Sequence, residues 1–220
     1  MSHKPDLVAP APWTLTGDGL VFLYAIPKTV NQQFGFLEEY QKQTYWGWVG
    51  AVMLMNYSNS PVGPYQELLF IPGVLKVNGK FTFTVSKIYV STLASAWNGR
   101  ENWGIPKELA DFSLQMNEDG TLAYEVKKEG KIFFTACAKP FGMRLPVTTK
   151  LFPWARIVQQ LRNQFLLTKI KATGHAQFAS TRTIHAVTNF FPPVQQLKQL
   201  ATVYLNDFWL VFPVPEVITL

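Results

Sequence analysis

The chain has 220 residues, of which 48% are hydrophobic, 15% aromatic and only 15% charged, with a formal net charge of +6. That is enough apolar material for one sizeable core, and a single domain over residues 1–220 is expected. The lysines and arginines are scattered rather than striped, which argues against a nucleic-acid partner and leaves a mild attraction for anionic substrates.

Residues 1–12 read as a flexible or draped arm, because Pro5, Pro10 and Pro12 oppose regular structure. A β-type run, 20–25, ends at Pro27. A short helix is predicted over 29–37 with Thr29 as its cap. The stretch from Trp46 to Tyr57 is apolar almost throughout, as in a strand covered on both faces or lining a barrel. A turn cluster, 58–64, leads into a strand from Tyr65 to Ile71 that carries Glu67 ahead of Leu68-Leu69-Phe70. Glu67 is either an edge-strand carboxylate in water or a partly buried acid able to move a proton. A further strand region spans 81–93.

The stretch Gly99-Arg100-Glu101-Asn102-Trp103-Gly104-Ile105-Pro106-Lys107-Glu108 crowds glycines, a proline, an Arg-Glu step and one lysine into an otherwise apolar sequence. It is read as a loop. Pro106 locks φ and so restricts how the chain enters Lys107. If the walls around Lys107 are apolar, its charged form is disfavoured, its pKa falls, and the free amine can attack a carbonyl. The alternative is a solvated loop lysine. Arg100 and Glu101 can pair with each other or with backbone and brace the loop. Trp103 is either a pocket wall or a packed core indole.

Beyond this stretch the pattern is a meander. Strands are predicted over 112–116, 121–127 and 131–138, with turns at Asn117–Gly120 and Glu129–Gly130. Pro140, Gly142 and Pro146 are expected to break the run. Trp154, Ile157, Val158, Leu161 and Phe165 fit helical spacing, so 151–165 is predicted as a helix. Strands follow over 165–178, 181–187 and 203–212, with a short helix over 193–202. Many short strands and turn signals give an α+β domain, mainly antiparallel β, curved into a barrel or cone around a pocket, with a few short helices.

The single cysteine, Cys137, excludes an internal disulfide and a multi-cysteine metal site, and is read as a buried structural thiol. His3, His175 and His185 lack ligand spacing, so no metal is expected, and His175 and His185 are read as structural or surface residues. No apolar run has the length of a membrane helix, and Met1 to Pro12 lacks an apolar signal core. A cytoplasmic protein with no membrane partner is expected.

The central stretch resembles the acetoacetate decarboxylase family. In the register of Gly99-Arg100-Glu101 and Pro106-Lys107, Lys107 matches the family's Schiff-base lysine. Tyr65-Gln66-Glu67 is similar to the family's Tyr-x-Glu segment, so the resemblance places Glu67 opposite the amine. Val211 to Ile218 is similar to the family's closing segment. The resemblance implies Schiff-base chemistry on a small keto acid or other carbonyl compound, as a decarboxylase or an aldolase- or dehydratase-type lyase. No cofactor is expected, and the resemblance implies a homo-oligomer. Arg100, Glu101, Tyr65, Trp103 and Glu108 are the further candidates for substrate binding or structural support. Two departures stand out. Glu108 occupies the place of the family's second lysine, and no arginine precedes Arg100 to match the family's N-terminal arginine. Acetoacetate decarboxylase is itself the standing example of an amine activated by desolvation or by a neighbouring cation. With Glu108 the second route is absent, so burial must tune Lys107, or Glu108 points away, or the chemistry differs. The rival reading is a small-molecule-binding protein on the same fold, its catalysis lost.

Overall fold

The computed structural model describes residues 4–47, 49–152 and 155–219; His3, Trp48 and Trp154, which figure in the sequence reading, lie outside the described residues. In chain order the first half carries β1 (Trp13–Ala25), α1 (Lys28–Phe34), α2 (Glu39–Thr44), β2 (Val49–Asn59), β3 (Tyr65–Ile71), β4 (Val74–Val77), β5 (Lys80–Phe83), β6 (Lys87–Val90), α3 (Leu93–Trp103) and β7 (Lys107–Leu109). The second half carries β8 (Asp111–Met116), β9 (Leu122–Lys128), β10 (Lys131–Thr148), β11 (Arg156–Leu161), β12 (Gln164–Lys169), β13 (Lys171–Ala186), β14 (Lys198–Phe212) and β15 (Glu216–Ile218).

The strands form two sheets. The larger has the order β7-β6-β3-β2-β1-β14-β13-β10-β9-β8, and the smaller β15-β12-β11-β5-β4. Pairing is antiparallel except at β6–β7 and β5–β11. The edge strands of the large sheet, β7 and β8, are separated in sequence by Ala110 alone, so its two edges meet across one residue. A ten-stranded sheet brought round in this way is a nearly closed barrel, and the α+β, mainly antiparallel reading holds.

Strand alternation divides the apolar residues between two compartments. Leu20, Phe22, Tyr24, Leu68, Phe70 and Tyr89 enter one core, together with Phe133 and Phe134. On the other face of the same strands, Leu15, Met55, Tyr57, Tyr65 and Leu69 join Trp103, Ile105 and Ile157 in a second cluster, beneath α3 and the small sheet. Burying both faces explains why β2 and β3 read as continuous apolar runs.

Several predicted elements differ. The helix over 151–165 is instead the hairpin β11–β12, whose turn holds Arg162 at φ 56°. Ile157, Val158 and Gln159 are buried in succession, which a strand covered on both faces allows and a one-faced helix does not. The single strand expected over 165–178 is split between β12 and β13. The region 81–93 is divided between β5 in the small sheet and β6 in the large one, and Leu93 opens α3. Of the helix over 193–202 only a 3-10 turn, Val194–Gln196, exists; β14 begins at Lys198. α1 starts behind Pro27 with no side-chain cap, so Thr29 lies inside its first turn. Trp46 precedes β2, largely exposed, with its ring centroid 4.6 Å from that of Phe81. β10 runs through Pro140 and Pro146 because β9 pairs with it only as far as Ala138. Beyond that point β10 has a single partner, β13, and a register shift between Phe141 and Leu145. An edge tolerates prolines that an interior strand does not. Cys137 is half-buried rather than buried.

The segment from Leu7 to Ala9 is draped over α3. The Ala9 N–H donates to Asn98 Oδ1 at 2.8 Å, and Asn98 Nδ2 and Asn102 Nδ2 donate back to the Leu7 and Ala9 carbonyls.

Candidate active site

The central stretch is a helix end followed by a strand, not a loop. Thr92 caps α3 by accepting from the Ser95 N–H at 3.2 Å, and Gly104 ends it in the left-handed region at φ 66°. The Gly104 N–H donates to the Arg100 carbonyl, as in a glycine-terminated helix. A side chain at Gly104 would also meet the Gln160 carbonyl oxygen at 2.7 Å. The chain then turns through Ile105-Pro106, with Lys107 N–H donating to the Ile105 carbonyl, and enters β7 beside β6.

That entry places Lys107 against α3. A Cβ at Gly99 would lie 2.6 Å from Lys107 Cδ and 2.8 Å from its Cε, so the glycine of the Gly-Arg-Glu step leaves room for the lysine stem. Ser95, one helical turn earlier, presents its hydroxyl to the same amine. Lys107 Nζ donates to Glu67 Oε2 at 2.8 Å, Ser95 Oγ at 3.2 Å and Tyr65 Oη at 3.4 Å. The side chains of Lys107 and Glu67 are each 5% exposed. Tyr57 Oη donates to the second Glu67 oxygen at 3.3 Å, and the Tyr57 and Tyr65 rings lie 4.7 Å apart.

Burial pulls the Lys107 pKa down, as the sequence reading anticipates. The Glu67 carboxylate at hydrogen-bonding distance outweighs it, with Tyr65 adding to the same effect, and the net direction is upward. The expected depressed amine is therefore not the resting state; the buried counter-ion keeps Lys107 protonated. Burial also pushes the Tyr65 hydroxyl up to about 12.

The amine and carboxylate line a cavity of about 390 Å³ between the large sheet and the small one. Trp103 forms part of its wall, packs edge-on against Trp13 at 5.1 Å, and donates its indole N–H to the Pro213 carbonyl at 2.8 Å. Trp103 is thus both wall and packed indole. Met53, Leu69, Ile88, Phe83 and Phe208 supply apolar surface, and His175 and Arg156 also border the space. His175 is exposed where it does so.

The remaining candidates lie elsewhere. Glu108 points to the opposite face of β7, where its two oxygens pair with Lys87 and Lys128. It is not in the pocket, and alternation along a strand is the reason. Glu101 pairs with Arg162 of the β11–β12 turn at 3.0 Å. Neither Arg100 nor Glu101 borders the cavity. The sequence reading missed Ser95, Tyr57 and Arg156. Ser95 and Gly99 share the i, i+4 relation on α3, and Tyr57 continues the Met53, Met55 face of β2, directly across from Tyr65. Arg156 carried no local signal, because its segment resembles a helix. Among the described residues no group of three or more histidine, cysteine, aspartate or glutamate side chains forms a metal cluster, and no helix is long and apolar enough to cross a membrane.

The fold is similar to that of solved enzymes. The acetoacetate decarboxylase of Legionella pneumophila superposes with a TM-score of 0.80 over 99% of this chain and 91% of that one, at 16% identity. The enduracididine biosynthesis enzyme MppR, in its complex with pyruvate, gives 0.70 over 97% and 92%, at 10% identity. In sequence, the protein NEOXANTHIN-DEFICIENT 1 of Oryza sativa is 24% identical over 102 residues, 46% of this chain but only 34% of that protein's length. The match therefore spans about a third of the curated relative. The family profile described as Acetoacetate decarboxylase (ADC) matches residues 47–189, which include Glu67, Ser95 and Lys107. Matched over more than half its length and bearing the family's fold, the chain belongs to the acetoacetate decarboxylase family.

Proposed function

We propose that the protein is a Schiff-base enzyme in which Lys107 attacks the carbonyl carbon of its substrate. The observation that carries this reading is the buried Lys107 Nζ at 2.8 Å from Glu67 Oε2, facing a largely apolar cavity. An ammonium cannot attack, so the first step moves a proton from Nζ to the neighbouring carboxylate. The neutral amine adds to the carbonyl, the carbonyl oxygen leaves as water, and an iminium remains. Glu67 returns to its anionic form by passing its proton to the departing oxygen, and then faces the iminium as it had faced the ammonium. The charge of the pair is the same before and after. The iminium draws electrons from an adjacent C–C or C–H bond, which supports decarboxylation, aldol or retro-aldol cleavage, and dehydration.

Borohydride trapping tests the reading. The chain is incubated with a panel of carbonyl compounds, acetoacetate and pyruvate among them, reduced, and analysed by mass spectrometry. The expected result is an adduct on Lys107 that disappears in Lys107→Ala; no adduct with any member of the panel would refute it.

One observation favours a second reading. Lys107 Nζ already donates to Glu67 Oε2 at 2.8 Å, and this carboxylate holds the lysine pKa up, which suits a binding protein that uses the ammonium as a hydrogen-bond donor. Ligand binding without a trapped adduct selects it. The homo-oligomer implied by the family resemblance stays part of the proposal. Exposed Phe141, Met143, Leu145 and Phe178 on the paired strands β10 and β13 offer apolar surface for it, and light scattering reads the mass.

A further inference from the structure

The cavity is shaped for more than the attack itself. Its deep end holds the polar groups: Lys107 and Glu67 are buried, with Tyr65, Tyr57 and Ser95 around them. From there the walls are apolar, formed by Leu15, Met53, Leu69, Ile88, Ile157 and Phe208. At the other end the lining residues Val147, Phe152 and His175 are exposed, which marks the mouth. A ligand whose carbonyl reaches Lys107 must therefore trail the rest of itself along apolar surface toward the opening.

Size and charge narrow the ligand further. About 390 Å³ is on the scale of pockets that enclose drug-sized ligands. A four-carbon keto acid leaves much of that volume unfilled. The positive charge of Lys107 is already matched by Glu67, and the other hydrogen-bond partners of Nζ are neutral hydroxyls. A substrate carboxylate next to the reacting carbonyl would meet the Glu67 anion. Arg156, the other lysine or arginine among the described lining residues, comes from the small sheet and donates its Nε–H to the Phe81 carbonyl at 3.0 Å.

Resting on the reading of Lys107 as a Schiff-base amine, we propose that the substrate is a carbonyl compound with an extended apolar chain and no carboxylate beside the carbonyl, such as a medium- or long-chain ketone or aldehyde. The chain lies between the two sheets and the carbonyl at the deep end. The amine nitrogen forms the C=N bond and the carbonyl oxygen departs as water.

A homologous series of methyl ketones, 2-butanone to 2-decanone, holds the electrophile constant while the tail grows. Each is incubated with the full chain at one subsaturating concentration, alongside acetoacetate and pyruvate, and trapped with borohydride. In parallel, displacement of the fluorophore 1-anilinonaphthalene-8-sulfonate reads binding without chemistry. Lys107 adduct is expected to rise by about fourfold per buried methylene until the cavity is filled, with the two keto acids trapped least. Keto acids trapped as well as or better than the long ketones overturn the substrate class and leave the Schiff-base reading standing. No adduct, with displacement that still strengthens with chain length, overturns the Schiff-base reading and supports the apolar ligand class. No adduct and no chain-length dependence of displacement overturn both.

Discussion

Two ion-paired groups stand one residue apart on β7 and differ in nearly every physical respect. Lys107 faces Glu67 with both side chains 5% exposed, in a pocket bounded by Tyr65, Tyr57 and α3. Glu108 faces the other side, 38% exposed, and shares its charge between Lys87 and Lys128. The first pair gave up its hydration to form, so each partner depends on the other; the second remains close to water and is screened. A strand that alternates its side chains can therefore carry a deeply buried ion pair and a partly exposed one at consecutive positions. In sequence the two residues read as one charged dipeptide, and Glu108 looks like a threat to the amine only until the strand is recognised.

The comparison predicts its largest effect for Lys107→Ala. Trapping of a carbonyl substrate at this position should vanish, and Glu67 would be left as a buried unpaired carboxylate. Removing one partner of such a pair costs about 3–5 kcal/mol. Urea unfolding should show most of that loss, while Lys107→Met combined with Glu67→Gln should recover a good part of it. A loss below about 1 kcal/mol for the single variant would mean the pair behaves like an exposed one.

Glu67→Gln tests the other half of the pair through pH. In the wild-type chain Lys107 is held above the free-lysine value of about 10.4, so its acylation rate should climb only on the alkaline side of that value. Without the carboxylate, burial dominates and the profile should move toward lower pH. The linked stability follows by sign. The folded pKa exceeds the unfolded one, so this stabilisation is full below about pH 10.4 and is lost as pH rises through the folded value. Glu67→Gln should lack that alkaline loss. An unmoved acylation profile would show that the carboxylate does not govern the amine.

Much of this site was legible before the fold. Lys107, Glu67, Tyr65 and Trp103 carry chemistry in their side-chain types, and the resemblance placed the first two opposite each other. What the sequence could not convey was the counter-ion's dominance over burial, because that depends on the 2.8 Å separation of atoms forty residues apart. Ser95 and Tyr57 were missed for a related reason: each becomes meaningful only when α3 or β2 is set against β3. In the fold, the Tyr65–Ile71 strand and the 117–120 and 129–130 turns were readable from apolar runs and Gly-containing turns. The 151–165 segment was not. Its apolar residues fit a helical period by coincidence, and only the covering of both faces by neighbouring layers decides for β11 and β12.

Gly99→Ala gives an intermediate effect and separates propensity from function. Alanine in an exposed helix interior is favoured over glycine by up to about 1 kcal/mol. Here its Cβ would press on Lys107 Cδ and Cε at 2.6 and 2.8 Å. The expected outcome is a folded protein whose Lys107 adduct forms several-fold more slowly, because the amine is displaced from Glu67. A variant with undiminished trapping would show that the lysine stem has room to shift, and that the close approach at Gly99 does not position it.

Glu108→Gln should have the smallest effect, and it checks the other side of the comparison. Burial alone would raise the Glu108 pKa; hydrogen bonds and charge from Lys128 and Lys87 outweigh it and hold the carboxyl below its ordinary value. Its folded pKa is thus below the unfolded one, so the stabilisation is present above about pH 4.3 and fades as pH falls through the folded value. At 38% exposure the pair is worth at most about 1 kcal/mol. Lys87 and Lys128 also retain the Tyr89 ring, at 5.0 and 5.3 Å, after the carboxylate is gone. Thermal unfolding at neutral pH should therefore shift by a few degrees or less, and the difference from wild type should shrink in acid. The trapping profile of Lys107 should not move at all, since Glu108 projects from the opposite face of β7. A shift in that profile would mean the two charges communicate through the strand, and that the second lysine of the family pattern has a functional counterpart in Glu108 after all.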